Sequence, residues 1–227
     1  DIASRGKNAI QVEARASRRP LTLVDAGSRF TRRSSAVRST TSRMSPVRWH
    51  RRVRCSYDSR MSDTIGIYVF DEVEALDFAG PYEVATTAAR VHRRAQPGEA
   101  APLFRVVTIG RTRQAVRARA GLKIEPDASI DDHPALGALI VPGGVVTDEM
   151  RRPEVTSWIA AQATKAPLVA SVCTGAFLLA GAGLLDGLEA TTHWEDIADL
   201  RTMFPKVRVR EGVRWVDQGA VVTSAGI

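Results

Sequence analysis

Along residues 61–227 the apolar positions fall into short continuous runs separated by polar turns. Residues 65–70, Ile-Gly-Ile-Tyr-Val-Phe, form an unbroken apolar run, the signature of a strand covered on both faces. Residues 103–109, 139–141 and 168–172 repeat that pattern. Between these runs the apolar spacing changes to a helical one. Val84, Ala85, Ala88 and Val91 lie on one side of a helix predicted to open at Gly80-Pro81 and run to about Arg94. Pro81 suits a first helical turn, where no N–H is needed. Val155, Trp158 and Ile159 mark a second helix over 153–163, and residues 174–185 read as a very apolar third. A short helix is expected over 195–203, with strands near 207–209, 213–216 and 221–223. Residues 115–130 differ: Val116, Ala118 and Ala120 alternate with Arg117 and Arg119, and Gly121 supplies a turn, so a half-exposed hairpin is predicted.

Buried strands alternating with helices predict an α/β fold, a three-layer sandwich whose mostly parallel sheet is covered by helices on both faces. In such sheets the site lies beyond the carboxyl ends of the strands. Three unusual loops fall there, at 74–81, 142–145 and 172–175.

Charge divides the chain. It carries +7 overall, but residues 1–60 hold 15 of the 32 Lys and Arg and only 4 of the 25 Asp and Glu. The remainder is mildly acidic, without a phosphate-cradling loop, a zinc spacing or a basic helix, so nucleic-acid binding is not expected through 61–227. Residues 1–60 are rich in Arg and Ser and show no helical or strand period. They are expected to be a disordered basic leader. A transit peptide and a polyanion-binding arm are alternatives, but upstream sequence with the native start at Met61 is favoured. Two cysteines, Cys55 and Cys173, do not make a disulfide framework at this length, which points to a reduced, cytoplasmic setting. No apolar run is long enough to span a bilayer.

The candidate chemistry gathers on the three loops. Cys173 stands between an apolar strand and an apolar helix, in Ala170-Ser171-Val172-Cys173-Thr174-Gly175-Ala176. That matches a nucleophile elbow, a strained turn exposing a reactive side chain at the top of a sheet. A helix starting at Thr174 is expected to lower the thiol pKa. A buried structural cysteine is the competing reading. Gly143 and Gly144 follow a strand end; with the Thr174 N–H they can form an oxyanion hole or simply make a turn. Asp77, in Leu76-Asp77-Phe78, can exchange protons with the thiol or cap the helix ahead of Pro81. His193, in Thr191-Thr192-His193-Trp194, is either a base for the cysteine or a hydrogen-bonded structural histidine. No metal site and no cofactor are expected.

Together these residues resemble the ThiJ/PfpI superfamily, the class I glutamine amidotransferase-like, flavodoxin-like fold with a nucleophile elbow. The resemblance covers essentially all of 61–227. It rests on 171–175, 184–187 and 190–194, with 76–84 and 141–144 adding to it. Two branches share these motifs: isonitrile hydratase and the ligand-sensing domain of AraC-type transcription regulators. The hydratase resemblance implies a nucleophilic Cys173, an acid–base Asp77 and an assisting Thr174, acting on a small-molecule isonitrile. The regulator resemblance implies the same pocket as a sensor. A thiol-based stress protein, with Cys173 oxidised, ranks third. Peptidases of the superfamily place His directly after the cysteine, where this chain has Thr174, so peptidase activity is not expected. Glyoxalase-like and deglycase-like branches carry a glutamate where this chain has Asp77. The superfamily usually dimerises and continues past residue 227 with a further helix, so a homodimer and a C-terminally truncated domain are expected.

Overall fold

The computed structural model describes residues 63–98 and 103–226. The expectations for residues 1–60 lie outside the described residues.

The chain runs β1 (Thr64–Tyr68), α1 (Ala75–Ala95), β2 (Arg105–Gly110), β3 (Val116–Arg117), β4 (Lys123–Ile124), β5 (Ala128–Ser129), β6 (Ala138–Val141), α2 (Thr147–Met150), α3 (Pro153–Ala163), β7 (Leu168–Val172) and α4 (Gly175–Gly181). It continues with β8 (Glu189–Ala190), α5 (Ile197–Met203), β9 (Arg208–Val209), β10 (Trp215–Asp217) and β11 (Val221–Ser224). Seven strands form one sheet in the order β10-β11-β7-β6-β1-β2-β5, parallel throughout except for β10 against β11. The α/β architecture is the one the sequence implies.

The apolar runs become the middle of that sheet because strands covered on both faces cannot alternate with polar residues. Ile67, Tyr68, Val69, Leu139, Val141 and Val169 are fully buried. From β1 the chain crosses through α1 to β2 in one direction along the sheet, and from β6 it crosses through α3 to β7 in the other. Right-handed crossovers therefore put α1 and α3 on opposite faces. The order reverses between β1 and β6, and the loops leaving β1, β6 and β7 meet at that switch point.

Several boundaries differ from expectation. α1 begins at Ala75, not Gly80, so Pro81 lies inside it and Asp77 in its first turn. Pro81 forfeits one backbone bond, to the Asp77 carbonyl; burial of Asp77 and Phe78 against the sheet holds the turns around it. α4 ends at Gly181 rather than Leu185. Its end is a Schellman motif: Gly183 N–H bonds the Ala180 carbonyl at 2.9 Å, Leu184 N–H bonds the Leu179 carbonyl at 3.0 Å, and Gly183 takes a φ of 77°. The expected hairpin is present as antiparallel β3 and β4, but Ala128 and Ser129 leave it to pair with β2 in the main sheet. Helix α2 was not expected, since four residues carry no periodic signal. Among the described residues no helix is long and apolar enough to cross a membrane.

Candidate active site

Cys173 is the residue between β7 and α4 and takes a φ of 56°, the left-handed region that a non-glycine residue seldom occupies. The strand ends, one residue turns, and the helix begins, which aims the side chain away from the sheet edge. Gly175 makes the turn possible. A Cβ there would stand 2.1 Å from the Val141 carbonyl oxygen, so the α4 entry packs directly onto the end of β6.

Asp77 reaches the same point from α1. It is 2 % exposed, and its carboxyl and the Cys173 thiol are hydrogen-bonded. Gly143 N–H donates to Asp77 Oδ2 at 3.2 Å. Thr174 Oγ1 donates to the Gly144 carbonyl at 2.8 Å and accepts from Gly144 N–H at 2.9 Å. Gly143 is needed for closeness: a Cβ on it would lie 2.7 Å from both Thr174 N and Oγ1, and 2.8 Å from Asp77 Oδ2. The loop is pinned from below by Glu74 N–H to the Gly143 carbonyl at 2.8 Å and by a bridge between Val73 and Gly144. The structure thus brings together Cys173, Asp77, Thr174, Gly143 and Gly144. The two glycine N–H groups are engaged by Asp77 and Thr174 in this state.

His193 stands at the start of the turn before α5. Its Nδ1 lies 3.2 Å from Asp196 Oδ2 and 3.9 Å from Glu195 Oε2, and its influence on Asp77 is electrostatic.

The thiol corrects one expectation. Its pKa is not lowered by the helix; it is pushed up to about 12. Burial is the largest cause, the facing Asp77 carboxylate comes next, and the Thr174 N–H pulls weakly the other way. Asp77 is raised from the ordinary carboxylate range, again mainly by burial, with the Cys173 and Gly143 hydrogen bonds opposing. The Asp77 carboxylate disfavours ionisation of Cys173, whereas the thiol's hydrogen bond favours ionisation of Asp77. The thiol therefore keeps its proton at neutral pH and lies against the Asp77 carboxyl.

A cleft of about 270 Å³ opens beside Thr174, walled by Val146, Met150, Phe177 and Met203, with Asp196 and Asp199 on its rim. Among the described residues no group of three or more His, Cys, Asp or Glu side chains could hold a metal ion.

Sequence reasoning passed over two features. Thr192 Oγ1 donates to the Cys173 carbonyl at 2.9 Å. The buried Tyr68 hydroxyl donates to the buried Glu149 carboxylate of α2, which Arg152 also faces at 3.1 Å. Both contacts join residues distant in sequence; the Thr191-Thr192-His193 run was the only available signal.

Residues 63–227 match the model of the DJ-1/PfpI family. The chain is 33 % identical over 168 residues to the isonitrile hydratase of Pseudomonas putida, covering 74 % of this chain and 67 % of that protein. It is 32 % identical over 168 residues to the HTH-type transcriptional regulator GbdR of Pseudomonas aeruginosa, covering 74 % of this chain and 44 % of the regulator. It therefore spans less than half the length of GbdR. Among solved structures, a ThiJ/PfpI family protein from Pseudomonas syringae shares the fold with a TM-score of 0.60 at 24 % identity, over 80 % of this chain and 72 % of that one. An AraC family transcriptional regulator from Pseudomonas putida does so with a TM-score of 0.60 at 20 % identity, over 72 % and 83 %.

Proposed function

The chain belongs to the DJ-1/PfpI family, and from that premise we propose that it is a cysteine-dependent lyase that hydrates a small isonitrile, R–N≡C, to the N-substituted formamide. The supporting observation is the Cys173 thiol set against the buried Asp77 carboxyl, which Gly143 N–H holds in place. Hydration through sulfur consumes one proton at carbon and one at nitrogen, and returns one to sulfur. A thiol in contact with a carboxylate can conduct all three transfers.

In the proposed path Asp77 takes the thiol proton as Sγ attacks the terminal isonitrile carbon. Asp77 then delivers that proton to the same carbon, which leaves a thioimidate, R–N=CH–S, on Cys173. The restored carboxylate takes a proton from water as the hydroxyl adds to carbon, and passes it to nitrogen. Collapse breaks the C–S bond and gives R–NH–CHO, while the hydroxyl proton returns through Asp77 to sulfur. Thr174 fixes the Gly143–Gly144 loop that presents an N–H to Asp77. The apolar wall of Val146, Met150 and Phe177 gives the R group its place.

The test is formamide formation from a short aliphatic isonitrile by the full chain, followed by proton NMR. Wild type is expected to turn over. Asp77→Asn, which keeps the shape but cannot accept the proton, is expected to lose about 10²–10⁴-fold in kcat. No turnover by wild type, or full turnover by the asparagine variant, would contradict the proposal.

The identity to GbdR favours a second reading, in which the same cleft senses a small ligand for a transcription regulator. A ligand that binds the native chain raises its unfolding midpoint by mass action. A small molecule that did so equally in wild type and Cys173→Ala, with no turnover by either, would favour this reading over the first.

A further inference from the structure

We propose that Thr192 is a positioning residue for Cys173: its hydroxyl, together with the end of β11, locks the elbow peptide in the left-handed conformation that sets the sulfur against Asp77. The inference rests on the reading of Cys173 as the reacting group.

A cysteine in the left-handed region has no glycine-like freedom, so its surroundings must hold it there. Three bonds do so. Cys173 N–H donates to the Ser224 carbonyl at 2.9 Å. The Cys173 carbonyl accepts from Thr192 Oγ1 at 2.9 Å and, less closely, from Ala176 N–H at 3.3 Å. Thr192 is 1 % exposed, so its bond does not exchange with water. The donor is itself anchored, because the neighbouring Thr191 N–H bonds Thr223 Oγ1 on β11 at 2.9 Å. Gly226 closes another side; a Cβ on it would come within 2.6 Å of the Cys173 Cβ.

The two peptide planes that flank Cys173 are thus gripped, the first at its N–H by β11 and the second at its carbonyl by Thr192. Releasing the carbonyl lets φ relax and swings Sγ away from Asp77 and from the Thr174 N–H. The groups that face the thiol are Asp77 from α1, Thr174 from its own turn and, more distantly, Asp196 from the turn before α5. His193 and Glu74 face Asp77 in turn. Thr192 and Ser224, by contrast, act on the sulfur only through the Cys173 backbone.

The test is the pH dependence of Cys173 alkylation by iodoacetamide in the full chain, read on the Cys173 peptide by mass spectrometry because the chain also carries Cys55. Thr192→Val removes the donor and keeps the shape. Its profile is expected to move down by about one pH unit or more, toward an ordinary thiol, so that alkylation near neutral pH becomes about tenfold faster. Isonitrile turnover is expected to fall at least about tenfold, with KM little changed. Thr192→Ser is expected to restore both, and Thr192→Ala to repeat the valine result should valine disturb folding. A valine profile superimposed on wild type, or a serine profile shifted as far as valine, would overturn the role. Should wild type hydrate no isonitrile while the valine shift and serine rescue persist, the catalytic reading fails and the positioning role stands.

Discussion

At the scale of single residues, the site depends on groups too close together to admit a methyl. Gly143→Ala would push a Cβ to 2.7 Å from Thr174 N and Oγ1, so the loop must lift off both Thr174 and Asp77. The expected outcome is a chain that still folds but binds and turns over substrate at least about tenfold worse, because a shift of even 1 Å misaligns reacting groups. Kinetics on the purified variant check this. Gly175→Ala meets backbone instead, the Val141 carbonyl at 2.1 Å, and is expected to lose on the order of 3 kcal/mol of stability in urea unfolding. The identity of the residues that meet at this site was legible in the sequence. Cys173 stood between two apolar elements, and Asp77 stood between Leu76 and Phe78 just beyond a buried strand. The direction of the thiol pKa was not legible. The helix argument counted only the local turn, while the largest influence is burial and the next, the Asp77 carboxylate, comes from a residue 96 positions earlier.

At the scale of elements, the central strands were legible because both faces are covered and apolar residues run without a break. Helix α3 was read at its correct bounds, since Pro153 marks its start and Val155, Trp158 and Ile159 face inward. Helix α2 was not readable: Thr-Asp-Glu-Met looks like a polar turn. What makes it an element is the hydrogen bond from Tyr68 on β1 to Glu149, with Arg152 as the second partner of that carboxylate. Burial, then the facing Glu149, pushes the Tyr68 hydroxyl far above its ordinary value, so it donates at any physiological pH. Tyr68→Phe leaves a buried carboxylate one donor short. A loss of about 1–3 kcal/mol in urea unfolding is expected. Because Thr147 and Met150 of α2 wall the cleft, KM is expected to rise in the same variant. Unchanged stability would show that Arg152 alone holds α2.

At the scale of the whole molecule, the sheet order explains why loops from distant parts of the sequence form one site. β1, β6 and β7 are neighbours, and their carboxyl ends carry Asp77, Gly143 and Cys173 to the point where the strand order reverses. That convergence was predictable from strand and helix alternation alone; the grip on Cys173 by β11 was not, because pairing of β11 with β7 places Ser224 beside the elbow. The same burial gives the fold a pH signature. The Cys173 thiol rises from 9.0 in an unfolded chain to about 12 here. The folded state therefore keeps its proton where the unfolded chain loses it. The associated stability is fully present below about pH 9 and is lost as pH climbs toward 12. Urea midpoints of wild type are expected to fall more steeply over that window than those of Cys173→Ser, and parallel curves would contradict the shift.

The most direct test of the central claim is the rate of formamide formation by Cys173→Ala beside wild type, on the same isonitrile and at neutral pH. A sulfur-bound thioimidate requires that the alanine variant fall to the rate of the uncatalysed reaction while its unfolding curve stays cooperative. Formamide released by the variant at the wild-type rate would mean that Cys173 is not the nucleophile.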